Sequence, residues 1–303
     1  MTEILTVING IGYTQLADFG THWRCNPLYR EYRSQNALAI KKATGQWFDH
    51  SERQGGSLAQ LVQKTLGLAS VEETKAYMGD LPINIDIRES VELTDVKRFD
   101  KNILIKLLRD DAYWVGRGIS PHILKPFGGG VAQGGRMKGR YVFPIFDDRD
   151  NLIGFSGRLL TTSDTLPKWK HIGQKKNFVF PVQATEHIRR LGYVIIVESI
   201  GDLLKLMECG VFNVIVSFGV SLSPKIIQYL LKLDVNRIII GLNNDEDSFI
   251  GNEASQEYKE ELKNYFDENQ ITIALPTEKD FGDMTCEQIH DWKFRILNED
   301  RNG

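Results

Sequence analysis

Between residues 193 and 247, three apolar, β-branched runs alternate with helix-like stretches. The runs are Tyr193 to Val197, Asn213 to Val216 and Arg237 to Ile240. After their first residues, Val194 to Val197, Val214 to Val216 and Ile238 to Ile240 are apolar at every position, not at every second one. Strands of that kind are buried on both faces, as in a parallel sheet covered by crossover helices. Polar residues stand where the runs stop: Glu198 after the first, Gly219 after the second, Asn243 to Asp247 after the third. Asp280 and Asp283 follow a further short run, Ile271 to Leu275. In open α/β sheets, ligands bind at the carboxyl ends of the strands. Carboxylates gathered there repel one another, and a divalent cation relieves that repulsion. An all-oxygen set suits Mg²⁺ or Mn²⁺.

The charge distribution adds to this. The 303 residues carry a net charge of −3, spread unevenly. Residues 101–178 hold 14 Lys and Arg against 6 Asp and Glu, a balance of +8, and residues 190–303 hold 11 against 20, a balance of −9. A basic block beside an acidic one suits an enzyme that holds a polyanion next to a metal site; the alternative is chance asymmetry on solvated surfaces. At this length two or three domains are expected. No apolar stretch is long enough to span a bilayer, and no signal-peptide pattern opens the chain, so a cytoplasmic location is expected. Cys25, Cys209 and Cys286 have no paired spacing, which argues against both a disulfide framework and a cysteine-rich zinc site.

The blocks divide as 1–78, 79–100, 101–190 and 191–303. The first reads as a small α+β module. Ala37 to Ile40 and Gln46 to Asp49 form two strands about the turn Ala43-Thr-Gly45, and Ser57 caps a helix with Leu58, Leu61, Val62 and Leu66 on its apolar face. Trp23, Tyr29, Trp47 and Phe48, with Arg24, Arg30, Arg33, Lys41 and Lys42, read either as a stacking surface for single-stranded nucleic acid or, for the aromatics, as core. Residues 79–100 read as a linker. The spacing of Ile103, Leu104, Leu107 and Leu108 predicts helix within 101–124, and Ser120-Pro121 a second helix start. Gly128 to Gly130 and Gly134-Gly135 lack the lysine and the strand–helix context of a phosphate-binding loop and read as turns. Gly139 to Phe146 and Leu152 to Leu160 read as a hairpin, followed by Lys168-Trp169-Lys170, Lys175 and Lys176. Basic residues there suit phosphate groups; the alternative is a solvated basic face.

Phe143-Pro144-Ile145, Ile153-Gly154-Phe155-Ser156-Gly157-Arg158, Pro167-Lys168-Trp169 and Lys175-Lys176 resemble the N-terminal half of the catalytic core of DnaG-type bacterial primases. Residues 193–283 resemble the Toprim domain that follows it there, a domain also found in topoisomerases and some nucleases. Residues 20–66 look like a degenerate copy of the family's zinc ribbon. The resemblance implies a multi-domain α+β and α/β fold: a small module, a basic α+β subdomain and a Rossmann-like parallel sheet. The family's Glu-Gly-x-x-Asp appears as Glu198-Ser199-Ile200-Gly201-Asp202, and its Asp-x-Asp as Asn243-Asn244-Asp245, with the first aspartate amidated. By the same resemblance Glu198, Asp245 and Asp280 are catalytic, and Glu198, Asp245, Asp247, Asp280 and Asp283 hold Mg²⁺ or Mn²⁺. Arg140, Arg158, Lys168, Lys170, Lys175 and Lys176 face template and nucleotides. The ribbon's ligand positions fall on Cys25, Leu28, Asp49 and Glu52, so no zinc is expected. The short length and eroded ribbon point to a phage or mobile-element form without the family's helicase-binding domain.

The activity so implied is divalent-metal-dependent synthesis of RNA primers on single-stranded DNA from ribonucleoside triphosphates, with a replicative helicase as partner and no membrane. Two alternatives stand beside it. A Toprim nuclease would use Glu198 and Asp245 but has no reason to carry the basic block at 139–176. An inactive primase-like protein binding single-stranded DNA or a helicase fits Asn243 and the missing zinc ligands. A type IA topoisomerase has no room here for its tyrosine-bearing domains.

Overall fold

The computed structural model describes residues 3–31, 36–52, 54–78, 96–219, 221–233, 235–244 and 250–299. The chain divides into two units. One comprises Met1–Glu92, Ile227–Asn236 and Lys259–Ile271; the other comprises Leu93–Ile226, Arg237–Tyr258 and Thr272–Gly303.

In the first unit, α1 (Glu3–Gly10) precedes an antiparallel meander of β1 (Ala17–Phe19), β2 (His22–Cys25), β3 (Leu38–Lys41), β4 (Trp47–Asp49) and β5 (Gln54–Gly56). The predicted strand pair is β3 with β4, joining Ile40 to Trp47. The other three strands are short and carry too little alternation to stand out. Then come α2 (Leu58–Leu66) and α3 (Val71–Met78). Ser57 caps α2 as predicted: its hydroxyl accepts from Gln60 N, and Gln60 Oε1 accepts from Ser57 N, a box worth about 1 kcal/mol. The core joins Ile8, Leu38, Ile40, Trp47, Leu61 and Val62. Trp47 and Phe48 are both buried, so neither offers a stacking face. Arg33 and most of the predicted linker, residues 79–95, lie outside the described residues.

At the ribbon's ligand positions there is a polar knot. The Asp49 side chain is fully buried. It accepts from Tyr29 Oη at 2.8 Å, from Arg30 Nε at 2.9 Å, and from the backbone of Ser51 and Glu52. Burial works to raise its carboxyl, but these bonds, Arg30's first, outweigh burial and hold it below the usual carboxylate value. The buried Cys25 thiol is pushed up to about 12 by desolvation, and Leu28 is half exposed.

In the second unit, β6 (Leu107–Leu108), α4 (Ala112–Val115), α5 (Pro121–Leu124), β7 (Gly130–Ala132), β8 (Arg140–Phe146), β9 (Leu152–Leu159) and β10 (Trp169–Gly173) come first. The strands form an antiparallel sheet of order β10-β9-β8-β7-β6. The hairpin of β8 and β9 matches the expectation, and Asp147 closes its turn by accepting from the backbone of Arg149 and Asn151. The helix expected from Ile103 to Leu108 is absent. Lys101–Lys106 is a 3-10 turn capped by Asp100, and Leu107 and Leu108 pair with Ala132 and Val131. Pairing to an open sheet edge wins over helical spacing there, and Ile103 and Leu108 remain exposed.

The rest of the chain alternates helix and strand: α6 (Ala184–Leu191), β11 (Tyr193–Val197), α7 (Ile200–Glu208), β12 (Val214–Val216), α8 (Pro224–Leu233), β13 (Arg237–Ile240), α9 (Ile250–Lys263), β14 (Ile271–Ile273) and α10 (Cys286–Glu299). The three predicted runs are parallel neighbours, with sheet order β12-β11-β13-β14. Val194 to Val197 are wholly buried, each contributing about 1.5–3 kcal/mol. One core spans both blocks, from Trp114 and Phe143 to Val197, Phe218 and Trp292. The cysteine expectation is corrected. Cys209, which ends α7, and Cys286, which begins α10, form a disulfide across a separation of 77 residues. Only the packing of these two helix ends brings them together, and sequence spacing carries no trace of it. Among the described residues no helix is long and apolar enough to cross a membrane.

Candidate active site

Glu198 leaves the carboxyl end of β11, and α7 begins two residues later. The step between them is fixed by a capping box: Ser199 Oγ donates to Asp202 at 2.7 Å, Ser199 N donates to the same oxygen at 3.1 Å, and Asp202 N returns a bond to Ser199 Oγ. Asp202 is thus the helix-terminal charge, not an open ligand. Burial first, then the nearby Asp280, push its carboxyl up to about 7, against the bonds from Ser199 and with a further push from Glu198.

The turn after β12 locks onto the same place. Phe218 N donates to the Glu198 carbonyl at 3.2 Å, and Ser217 N donates to that of Val197. Phe218 and Gly219 both have positive φ, 62° and 139°. A phenylalanine so placed is strained, and the surroundings hold it: Lys175 Nζ donates to the Phe218 carbonyl at 2.8 Å, and Tyr258 Oη to the Gly219 carbonyl at 2.6 Å.

A cleft of about 130 Å³ opens at these strand ends. Trp114, Arg117, Arg158, Lys168 and Trp169 line it from the basic block, and Glu198, Asp202, Lys205, Asn243 and Asp280 from the acidic one. The Arg158 guanidinium lies 5.6 Å from the Trp169 ring and 5.9 Å from the Tyr113 ring, and its Nε donates to Tyr113 Oη at 2.9 Å. Trp169 in turn stacks on the buried Trp114 at 6.3 Å. Register explains the pairing: Trp169 of β10 sits opposite Arg158 of β9.

Of the residues singled out from the sequence, Glu198, Asp280, Arg158 and Lys168 meet in this cleft. Arg140 does not line it. Its guanidinium is buried beneath and donates to the carbonyls of Gly157, Pro167 and Lys168; burial lowers its affinity for the proton. Arg140 therefore holds the loop that presents Lys168. Lys175 is occupied with Phe218, and neither Lys170 nor Lys176 lines the cleft. Asp283 is exposed; its backbone N–H is capped by Asp280 at 3.0 Å. Asn244 holds the following strap through the carbonyls of Pro276 and Lys279. Asp245 and Asp247 lie outside the described residues. Sequence reasoning passed over Arg117 and Lys205. Arg117 lies three residues before the Ser120-Pro121 helix start, and Lys205 is three residues past Asp202, the spacing of one helix face.

Among the described residues no group of three or more His, Cys, Asp or Glu is arranged to hold a metal ion. The donors in the cleft are nevertheless oxygens, those of Glu198 and Asp280 with the amide of Asn243, and the carboxylates raise Asp202 by their proximity. Such crowding and chemistry fit a hard divalent cation.

A Toprim-like family model matches residues 195–285. The DNA primase of Staphylococcus aureus strain MSSA476 is 30% identical over 151 residues, 48% of this chain and 24% of that protein. The DNA primase of Staphylococcus epidermidis is 27% identical over 174 residues, 55% of this chain and 28% of that protein. The chain thus spans about a quarter of the length of these curated relatives. Among solved structures, the zinc-binding and RNA polymerase domains of the Aquifex aeolicus primase align over 98% of this chain and 83% of that one, with TM-score 0.55 and 19% identity. A DnaG primase catalytic domain bound to single-stranded DNA aligns over 60% of this chain and 70% of that one, with TM-score 0.52 and 22% identity. The chain is thus similar to DnaG-type primases in three ways: a Toprim-like domain, likeness to primase sequences over about half its length, and the fold of a primase's zinc-binding and RNA polymerase domains along nearly all of it.

Proposed function

We propose that this chain is a primase core that builds short RNA primers on single-stranded DNA from ribonucleoside triphosphates. The observation that carries the reading is the single cleft in which Arg158 and Lys168 oppose Glu198 and Asp280. Primer synthesis joins a 3′-hydroxyl to an α-phosphate and releases pyrophosphate. Negative charge on the phosphate oxygens is met by cations already in position, which need no reorganisation. Arg158, fixed by Tyr113 and Trp169, binds phosphate as a planar fork. Lys168 adds a point charge from a loop that Arg140 anchors. The half-buried face of Trp169 suits a stacked base. Glu198 and Asp280, with Asp245 and Asp247, which follow Asn244 in the sequence, would hold Mg²⁺ or Mn²⁺. When bound, the ion supplies charge neutralisation and activates the attacking hydroxyl. Zinc is given no part in the N-terminal module: Asp49 is already engaged by Tyr29 and Arg30, and the Cys25 thiol is protonated. A replicative helicase follows from the resemblance as the expected partner.

The test is incorporation of labelled ribonucleotides on single-stranded DNA with Mg²⁺ or Mn²⁺, wild type beside Glu198→Gln. Short products from wild type that vanish in the variant support the reading. Degraded template in place of products overturns it in favour of a nuclease. A second reading, a non-catalytic binder of single-stranded DNA, is favoured by Asn243, which offers a neutral amide where the resemblance expects a carboxylate. It predicts template binding with no products under either ion.

A further inference from the structure

Lys205 stands in the acidic block, yet it lines the same cleft as the three cations of the basic block. It lies one turn beyond Asp202 on α7 and is half-buried, while its neighbours Leu203, Leu204 and Leu206 are packed into the core. No requirement of the helix's buried face calls for a lysine there. Its neighbour along the helix, Glu208, is bonded by Ser120, accepting from Ser120 N at 2.7 Å and from Ser120 Oγ, and feels Lys205 only as a nearby charge. Among the described residues Lys205 forms no ion pair.

The charge in the cleft then decides what it can hold. Arg117, Arg158, Lys168 and Lys205 give +4; Glu198, Asp202 and Asp280 give at most −3. Asn243 contributes nothing, and the Asp202 carboxyl, raised to about 7, is partly protonated at neutral pH. Without Lys205 the lining is +3 against as much as −3, no better than balanced when all three carboxylates are charged, and phosphate there would lean on a cation from solution. With it the lining is net positive, at strand ends already crowded with carboxylates. Half-buried charges of this kind are screened less than surface ones.

We propose that Lys205 is a phosphate-binding residue that, together with Arg117, Arg158 and Lys168, lets the cleft bind the triphosphate of a nucleotide before any divalent ion is present. The proposal rests on the primase reading for the identity of that nucleotide but not for the phosphate site itself. Lys205 comes from α7 and the other three cations from the basic block, and all four line one cleft, so a triphosphate chain held there meets cations from separate elements of the fold. Each lost charge-assisted hydrogen bond to phosphate is worth about tenfold in affinity.

The experiment uses the full chain in EDTA with inorganic tripolyphosphate as probe, read by the fluorescence of Trp114 and Trp169, which line the cleft. Wild type is compared with Lys205→Ala and Lys205→Arg, and matching thermal melts check that each variant is folded. Weakening by about tenfold in Lys205→Ala, with most of the affinity restored in Lys205→Arg, is the result expected. Equal affinity in wild type and Lys205→Ala, or no metal-free binding by wild type, overturns the proposal. In the primer assay, KM for ribonucleotides should rise by more than kcat falls. If wild type makes no primers while the difference in tripolyphosphate affinity stands, the primase reading fails and the phosphate site survives.

Discussion

Nη2 of Arg140 donates to the carbonyl oxygen of Pro167 at 2.7 Å, and Nη1 of the same guanidinium reaches Gly157 and Lys168. A charge this deep is held by carbonyl dipoles alone. Arg140→Met would leave the three carbonyls unpaired in a buried place, at about 1–3 kcal/mol per group left unsatisfied. We expect a total loss of about 2–4 kcal/mol in urea unfolding. Arg140→Lys should recover only part, because an ammonium lacks the planar fork that spans separate carbonyls. An unchanged midpoint in Arg140→Met would show that the anchor is dispensable.

Asp202 couples the site to pH. Its carboxyl is raised from 3.8 to about 7. Between about pH 4 and pH 7 the folded chain therefore keeps a proton that the unfolded chain has released. The stability tied to that proton is fully present below about pH 4 and is lost as pH rises through 7. Asp202→Asn keeps an acceptor for Ser199 and removes the titration. Urea midpoints for the pair at pH 5 and pH 8 should show the variant gaining on wild type at the higher pH. A difference that stays constant across the two pH values would place the Asp202 carboxyl back in the ordinary range.

In the N-terminal module, Asp49→Ala removes the buried acceptor of Tyr29 and Arg30 and leaves Arg30 with Glu52 at 3.7 Å and the Glu31 carbonyl. Breaking one side of a buried pair costs about 3–5 kcal/mol, more than a module with so small a core can spare. Tryptophan fluorescence should report unfolding around Trp23 and Trp47, and limited proteolysis should release the module. Extended dialysis of wild type against a chelator is expected to leave both signals unchanged. In acid, the Asp49 contribution is present above about pH 4 and is lost as pH falls through its depressed value.

The Cys209–Cys286 disulfide closes a separation of 77 residues, for which loop-closure entropy gives on the order of 4 kcal/mol. Reductant, or Cys209→Ser, should lower the thermal midpoint of wild type, and reductant should leave that of Cys209→Ser unmoved. Equal midpoints in all four samples would show that the link adds no stability.

The legible parts of the fold were those governed by local pattern. β11, β12 and β13 could be read because strands buried on both faces carry no polar interruption, and α2 because Ser57 and Gln60 form a box within four residues. Glu198 and Asp280 were readable as strand-end residues, and Arg158 and Lys168 as basic residues in and after the β8–β9 hairpin, to which the family resemblance adds template and nucleotides. What escaped depends on partners distant in sequence. Arg140 looked like a phosphate ligand because nothing local reveals that Gly157 and Pro167 will surround it. Leu107 and Leu108 keep helical spacing but are claimed by Val131 and Ala132. Lys175 was read as a phosphate contact, and its partner is a strained carbonyl 43 residues away. Lys205 carries no local signal, because a half-buried lysine on α7 gains its meaning only from the Arg117, Arg158 and Lys168 that share its cleft.

The continuous core beneath the cleft has a mechanical consequence. Trp114 and Phe143 under the basic wall pack in the same cluster as Val197 and Trp292 under the acidic wall. Jaws mounted on separate bodies can widen around their load; these two are set in one block, so the gap between them is a gauge, fixed by the volume of buried rings. Close-packed interiors do not stretch continuously. Whatever the cleft holds must therefore fit an opening of constant bore, and a change such as Phe143→Leu, wholly buried beneath it, would alter that bore as surely as a change in its lining.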